Sequence, residues 1–277
     1  MQNDMMKKLL SLFLFFLIGL TGCAAQETAP QAAPDRVVIA LLDTGVAPDA
    51  VHSEHLLPGH NYVTDTDDTD DQINHGTAVA SVILGSECAG VTAAAPDACV
   101  LPLVIATKTT RCSAETLAQA VRDSIDVYNA DIINISIGIR KDEPALRDAV
   151  QYAEEQGVLV VSAVGNSGPD EPPCYPAAYD TVLAVGSCDR NGVQSDFTQS
   201  GADVLAPGED IWLASRNGKT YGARGTSFAC GFVSAEAANL LRDDPTLTPP
   251  ALRDRLCSGE ITYSNPSSGK SVYRSSH

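Results

Sequence analysis

Short apolar runs alternate with stretches of helical periodicity along most of this chain, and that alternation limits the fold more than any other feature. VVIALLD (37–43), VLPLVIA (100–106), DIINISIG (131–138), VLVVSAVG (158–165) and TVLAVGS (181–187) are largely apolar and rich in β-branched residues and leucine. Runs of that kind suit strands buried on both faces. Between them lie helical patterns: GTAVASVIL (76–84), a segment over roughly 114–129, and Pro144 to Gln156, closed by Gly157. In the second of these Ser113 is placed to cap, and Leu117, Val121, Ile125 and Tyr128 fall at helical spacing. A small-residue helix begins near Thr226, and Thr248-Pro249 opens a last one. The alternation predicts an α/β architecture, a mostly parallel central sheet with helices on both faces. No repeat or second boundary interrupts it, so residues 36–277 read as one domain.

The N-terminus has a different character. Lys7 and Lys8 precede an apolar run from Leu9 to Leu20. At ~1.5 Å per residue, a helix of that length falls far short of a ~30 Å hydrocarbon core. The run therefore reads as an export signal. Leu20-Thr21-Gly22-Cys23 follows, and it resembles a bacterial lipobox, in which the cysteine is acylated and becomes the first mature residue. Residues 1–22 are expected to be a lipoprotein signal peptide, Cys23 the lipidation site, and the Ala/Pro-rich residues 23–35 a flexible tether. The expected location is outside the cytoplasm, anchored to the cell membrane by lipid.

Charge and cysteine usage narrow the partners. A formal net charge of −17 argues against nucleic acid and against an anionic lipid surface. Eight cysteines suit an exported protein. With Cys23 lipidated an odd number remains, so at least one is free or pairs with another chain, while disulfides are expected among the rest. No Cys/His spacing suits zinc, and no metal ligand is assigned.

One residue in the first strand needs explaining. Asp43 puts a carboxylate at the tip of the most apolar run in the chain, where burial is costly unless a partner holds it. A turn aspartate bonding its own backbone is one answer. Orientation of a catalytic imidazole is the other. His75, in NHGTAVAS, directly precedes one helix, and Ser227, in ARGTSFACGF, begins another. A hydroxyl, an imidazole to take its proton and a carboxylate to fix the tautomer are the parts of nucleophilic acyl transfer, and Asp–His–Ser is one of the chain orders in which they occur.

The chain resembles the subtilisin family of serine peptidases. LLDTGV, NHGTAVAS, NISIG (134–138), VSAVGNSG (161–168), VLAPG (204–208) and GTSFA (225–229) carry the resemblance, in family order, from about residue 36 to residue 242. It implies a three-layer subtilisin-like fold and hydrolysis of peptide bonds without a cofactor. It assigns Ser227 as nucleophile, His75 as general base, Asp43 as its orienting carboxylate and Asn166 as the oxyanion asparagine. Ser136, Ile137 and Gly138 would pair with an extended substrate, the stretch from Thr107 to Cys112 would face them, and Ala163, Val164, Gly165 and Cys174 would lie near the S1 pocket. Asp170 and Glu171 read first as a solvated loop and second as a source of preference for a basic P1 side chain.

Departures from the family pattern matter too. Only Cys23 to Arg36 precede the first strand, which leaves the family's usual propeptide unaccounted for. Cys230-Gly231 stands where the family commonly has Ser or Thr before Pro, and Cys230 reads as a buried structural thiol. The acidic run DTDDTDD (65–71) has carboxylates enough for a structural calcium but lacks the glycine and closing glutamate of an EF-hand loop, so a solvated loop is expected. The reading is thus a monomeric, membrane-tethered endopeptidase, possible roles including maturation of exported peptides. The alternative is a catalytically silent peptide-binding lipoprotein on the same fold.

Overall fold

The computed structural model describes residues 36–258 in full and residues 260–265 and 269–274 by their backbone. The expected signal peptide, Cys23 and the tether lie outside the described residues. Strands β1 (Val38–Asp43), β2 (His60–Asn61), β3 (Cys99–Val104), β4 (Ile132–Ile135), β5 (Leu159–Ala163), β6 (Val182–Cys188) and β7 (Val204–Pro207) form one sheet in the order β2-β3-β1-β4-β5-β6-β7. Every pairing in it is parallel. The helices are α1 (Gly76–Leu84), α2 (Ala114–Asp126), α3 (Pro144–Glu155), α4 (Thr226–Asp243) and α5 (Pro249–Ser258).

The alternation of side chains along β1 explains the three layers. Ile39 and Leu41 point to one face, into a core with Val79 and Ile83 of α1 and Ala229 and Val233 of α4. Ala40 and Leu42 point to the other, against Leu117 and Val121 of α2 and Leu146 and Val150 of α3. Ser113 caps α2 as its sequence suggests, its hydroxyl accepting from the Thr116 amide at 3.1 Å.

Several elements are not among those read from the sequence. The hairpin of β8 (Ile211–Ala214) and β9 (Thr220–Ala223) and the ribbon of β10 (Glu260–Asn265) and β11 (Gly269–Arg274) lie outside the large sheet. The strand read over 131–138 is shorter, because Ser136 leaves the sheet to bond α4. All seven described cysteines are free thiols, which corrects the expectation of disulfides. Cys99 and Cys188 are buried in the sheet and Cys230 inside α4, each among apolar neighbours on its own element. Among the described residues no helix is long and apolar enough to cross a membrane.

Strand order fixes where a site forms. The chain builds β3 on one side of β1 and then crosses to place β4 on the other, so the order reverses at β1. The crevice beyond the carboxyl ends of strands at such a switch is where open α/β sheets hold ligands. Asp43 is the last residue of β1, and Ser136 follows the last residue of β4.

Candidate active site

Asp43 is fully buried, and its partners account for it. Its Oδ1 accepts from the Thr44 amide at 2.7 Å and from Nδ1 of His75, also at 2.7 Å. Oδ2 has no hydrogen-bond partner among the described residues. His75 sits at the entry to α1, and the following residue must be glycine. A Cβ on Gly76 would stand 2.2 Å from the Gly45 carbonyl oxygen and 3.2 Å from Asp43. That close approach brings the start of α1 onto the end of β1.

The imidazole is 31% exposed at its open edge and otherwise enclosed. Burial draws its pKa down, but the charge and hydrogen bond of Asp43, with the charge of Asp71 behind it, prevail and hold it above the ordinary histidine value. With Nδ1–H engaged by Asp43, Nε2 is the nitrogen left to accept a proton.

Ser227 lies in the first turn of α4, 7% exposed. Its hydroxyl donates to the Ser136 carbonyl at 3.2 Å, and the hydroxyl of Ser136 donates back to the Ser227 carbonyl at 3.1 Å. The next ring along, Phe228, lies 6.2 Å from the His75 ring, which places the first turn of α4 beside the imidazole. Behind this pair runs a buried chain. Ser234 donates to Asn134 Oδ1 at 2.9 Å, and Asn134 Nδ2 donates to Ser136 Oγ at 3.0 Å, tying the middle of α4 to the tip of β4.

Asn166 reaches the same turn from the loop after β5. Its Oδ1 accepts from the amide and hydroxyl of Thr226 at 2.9 and 3.1 Å. That fixes the amide group and leaves Nδ2 as a donor next to the N-terminus of α4, whose first amides lack intrahelical partners. Ala163 ends β5, and Gly165 follows with φ +113°, where a Cβ would fall 2.1 Å from Gln199 Oε1 and 3.2 Å from the Cys174 sulfur. A Cβ on Gly138 would meet Cys174 Cβ at 2.6 Å. Gly138, Gly165, Cys174 and Gln199 therefore line one wall, and Ile139 pairs with Tyr175 just beyond it. The segment from Thr107 to Cys112 is a largely exposed loop after β3.

Asp170 and Glu171 are both exposed, as the solvated-loop reading has it, with Glu171 3.6 Å from Arg140, while one expectation about acidic residues is revised. The run 65–71 is not simply a solvated loop. Asp65 and Asp67 flank His60, each at 3.4 Å, Asp70 pairs with Arg216 at 3.6 Å, and Asp71 is completely buried. These carboxylates have different partners, and among the described residues no group of three or more His, Cys, Asp or Glu side chains is arranged to hold a metal. Asp71, Asn134, Ser234 and Gln199 are the residues around the site that sequence reasoning missed. A usable signal existed for Asp71 alone: an aspartate shortly before a helix start is a capping pattern.

Known proteins resemble this chain over most of its length. The model of the subtilase family of peptidases matches residues 35–264. The minor extracellular protease Epr of Bacillus subtilis (strain 168) is 33% identical over 79% of this chain, which spans 34% of Epr's length. Subtilisin DY of Bacillus licheniformis is 31% identical, over 80% of this chain and 82% of its own. Among solved structures, the prenylagaramide maturation protease PagA superposes with a TM-score of 0.70 at 30% identity, covering 85% of this chain and 86% of PagA.

Proposed function

This chain belongs to the subtilase family, whose members are serine-type endopeptidases, and from that premise we propose that it hydrolyses peptide bonds through Asp43, His75 and Ser227. The observation that carries the reading is the 2.7 Å bond from His75 to a buried Asp43, with Phe228, the residue after Ser227, 6.2 Å from the imidazole. The Ser227 hydroxyl, bonded here to the Ser136 carbonyl, turns to His75 for the transfer. Ser227 Oγ attacks the carbonyl carbon of the scissile bond while its proton passes to Nε2 of His75. Asp43 stabilises the imidazolium, and Asn166 Nδ2 with the amides at the start of α4 receives the oxyanion. Collapse expels the amine, which takes the proton from His75. A water then repeats the sequence on the acyl-enzyme, returning the serine.

An extended substrate runs along Ser136, Ile137 and Gly138, with its P1 side chain toward Ala163, Val164, Gly165 and Cys174. Backbone pairing of that kind gives affinity with little sequence preference. Chemistry of this kind requires no metal or cofactor from the protein.

The enzyme acts as a monomer outside the cytoplasm, held to the membrane by lipid on Cys23. Lys7-Lys8, the apolar run to Leu20 and the lipobox-like Leu20-Thr21-Gly22-Cys23 support this placement. A role in maturing exported peptides draws support from the likeness to PagA, a protease named for maturing prenylagaramide.

The test is labelling of the full chain with a fluorophosphonate probe, with Ser227→Ala beside it. Covalent labelling of the wild type and none of the variant is expected, with peptidase activity falling roughly 10⁶-fold, the loss known for the nucleophile of subtilisin itself. A folded wild type that takes no label would overturn the reading in favour of a silent peptide-binding protein.

A further inference from the structure

Asp71 is buried to 0% exposure, yet the chemistry proposed above does not use it. Its carboxylate accepts five hydrogen bonds. Oδ1 takes the Thr44 hydroxyl at 2.9 Å and the amides of Ile73 and Asn74 at 2.8 and 2.9 Å. Oδ2 takes the Thr77 hydroxyl at 2.7 Å and the Thr77 amide at 2.9 Å.

Each threonine passes the connection on. Thr44 Oγ1 accepts from the Gly76 amide at 2.9 Å, and Thr77 Oγ1 accepts from the Ala47 amide at 3.0 Å. Thr44 follows Asp43 directly, while Asn74 and Gly76 flank His75 on either side. One carboxylate thus joins the exit of β1 to the entry of α1, the two segments that present the carboxylate and imidazole of the proposed triad.

A stable fold does not demand a charge there. The five donors need an acceptor, but a neutral amide oxygen can serve as one, and an unpaired buried carboxylate is costly. The five donors compensate that cost, and what the charge adds is a negative field at the N-terminus of α1, where a helix favours it. The field also reaches the imidazole.

Accordingly we infer that Asp71 is a positioning residue for the reaction: it fixes Asp43 and His75 relative to one another and lends its charge to the imidazolium formed during turnover. The proposal rests on the triad reading above and deepens it. The raised pKa of His75 is consistent with it, since after burial and Asp43 the remaining influence is the charge of Asp71.

Other titratable groups on the elements packed around the site do not supply this field. From α4, the Cys230 thiol is pushed up to about 12, chiefly by burial, and stays neutral. From the β8–β9 hairpin, the Tyr221 phenol is raised by burial and by Asp71 and also stays neutral, while Arg216 is paired with Asp70. Asp43 and Asp71 are the carboxylates that act on the ring.

The experiment compares wild type, Asp71→Asn and the double variant Thr44→Val/Thr77→Val in the full chain, each normalised to the fraction labelled by a fluorophosphonate. Asp71→Asn is expected to lower kcat per labelled site roughly 10- to 100-fold with KM little changed, as a small misplacement of catalytic groups does. It is also expected to move the acid limb of the kcat/KM profile to lower pH, because a negative charge beside the imidazole is gone. The double variant keeps the charge and cuts the relay, so it should lower kcat and leave that limb in place. A folded Asp71→Asn with wild-type kcat per labelled site and an unmoved acid limb overturns the proposal. Should Asp71→Asn fail to fold, a double variant with wild-type kcat per labelled site overturns it instead. Wild type that takes no label defeats the triad reading first, which is a separable outcome.

Discussion

At the scale of single residues the site is a set of buried polar groups, each held by a specific partner. Asp43 is tolerated at the end of an apolar strand because Thr44 and His75 both donate to it at 2.7 Å. The same contact sets how His75 titrates. Although burial opposes the charged ring, Asp43 and then Asp71 raise its pKa above the ordinary value of ~6.5. A general base must be neutral to accept a proton, so kcat/KM is expected to fall as the pH drops, with a midpoint above that ordinary value. A pH–rate profile on a neutral peptide substrate checks this, and a midpoint at or below that ordinary value would contradict it. By linkage, the shift stabilises the fold most below the pKa of an unfolded histidine. That contribution fades as the pH rises through the higher value of His75.

Elements place these residues, and their legibility varied for physical reasons. β1, α1 and α2 were readable because each carries its own signal: an unbroken apolar run, a small-residue helix, a serine cap with apolar residues at helical spacing. The β8–β9 hairpin went unread although Asn217-Gly218 is a hairpin turn signal, because its second strand, Thr220–Ala223, is partly exposed throughout and has no apolar alternation. The motifs exposed Asp43, His75, Ser227 and Asn166, because such chemistry uses residue types in recognisable surroundings. Asp71 was read only as part of a charge run: its place before a helix start hinted at a cap, but its burial against Thr44 and Thr77 leaves no mark in the sequence. Asn134 was likewise opaque, being one polar residue in a buried strand. Its partners are Ser136 of the following loop and Ser234, a hundred residues on. Asn134→Ala removes the acceptor of the Ser234 hydroxyl and one donor to Ser136 Oγ, which keeps its bond to the Ser227 carbonyl, at about 1–3 kcal/mol for the buried group left unsatisfied. A loss of about 2 kcal/mol is expected, or roughly 4–8 °C in Tm for a domain of this size. Because the chain of bonds reaches the Ser227 carbonyl, kcat should fall with it while the Ser113 cap, on the other face, is untouched. Thermal melts and kinetics on the same preparation test this, and an unchanged Tm would show that water satisfies Ser234.

For the whole molecule, the question is how a domain with its cleft at the carboxyl edge of the sheet meets its substrate. If Cys23 carries lipid, the residues between it and Arg36 limit how far the domain stands from the membrane. At ~3.3–3.6 Å per residue they reach at most about 45 Å, comparable to the size of the domain itself. An anchor that short keeps the cleft close to the surface and favours substrates arriving there over those free in bulk solution. A net charge of −17 opposes this, since repulsion from anionic headgroups leaves the lipid alone to hold the protein at the surface. A single acyl chain binds membranes only marginally, and two are needed for stable anchoring, as a diacylated cysteine provides. Cys23→Ala is therefore expected to move the protein from the membrane pellet to the soluble fraction while leaving kcat and KM on a small soluble peptide unchanged, since the cysteine is remote in sequence from every residue of the cleft. Fractionation with activity assays in both fractions decides it. Continued sedimentation of the variant with membranes would assign the anchor elsewhere, and a loss of activity on the soluble peptide would mean that the N-terminal segment contributes to the site.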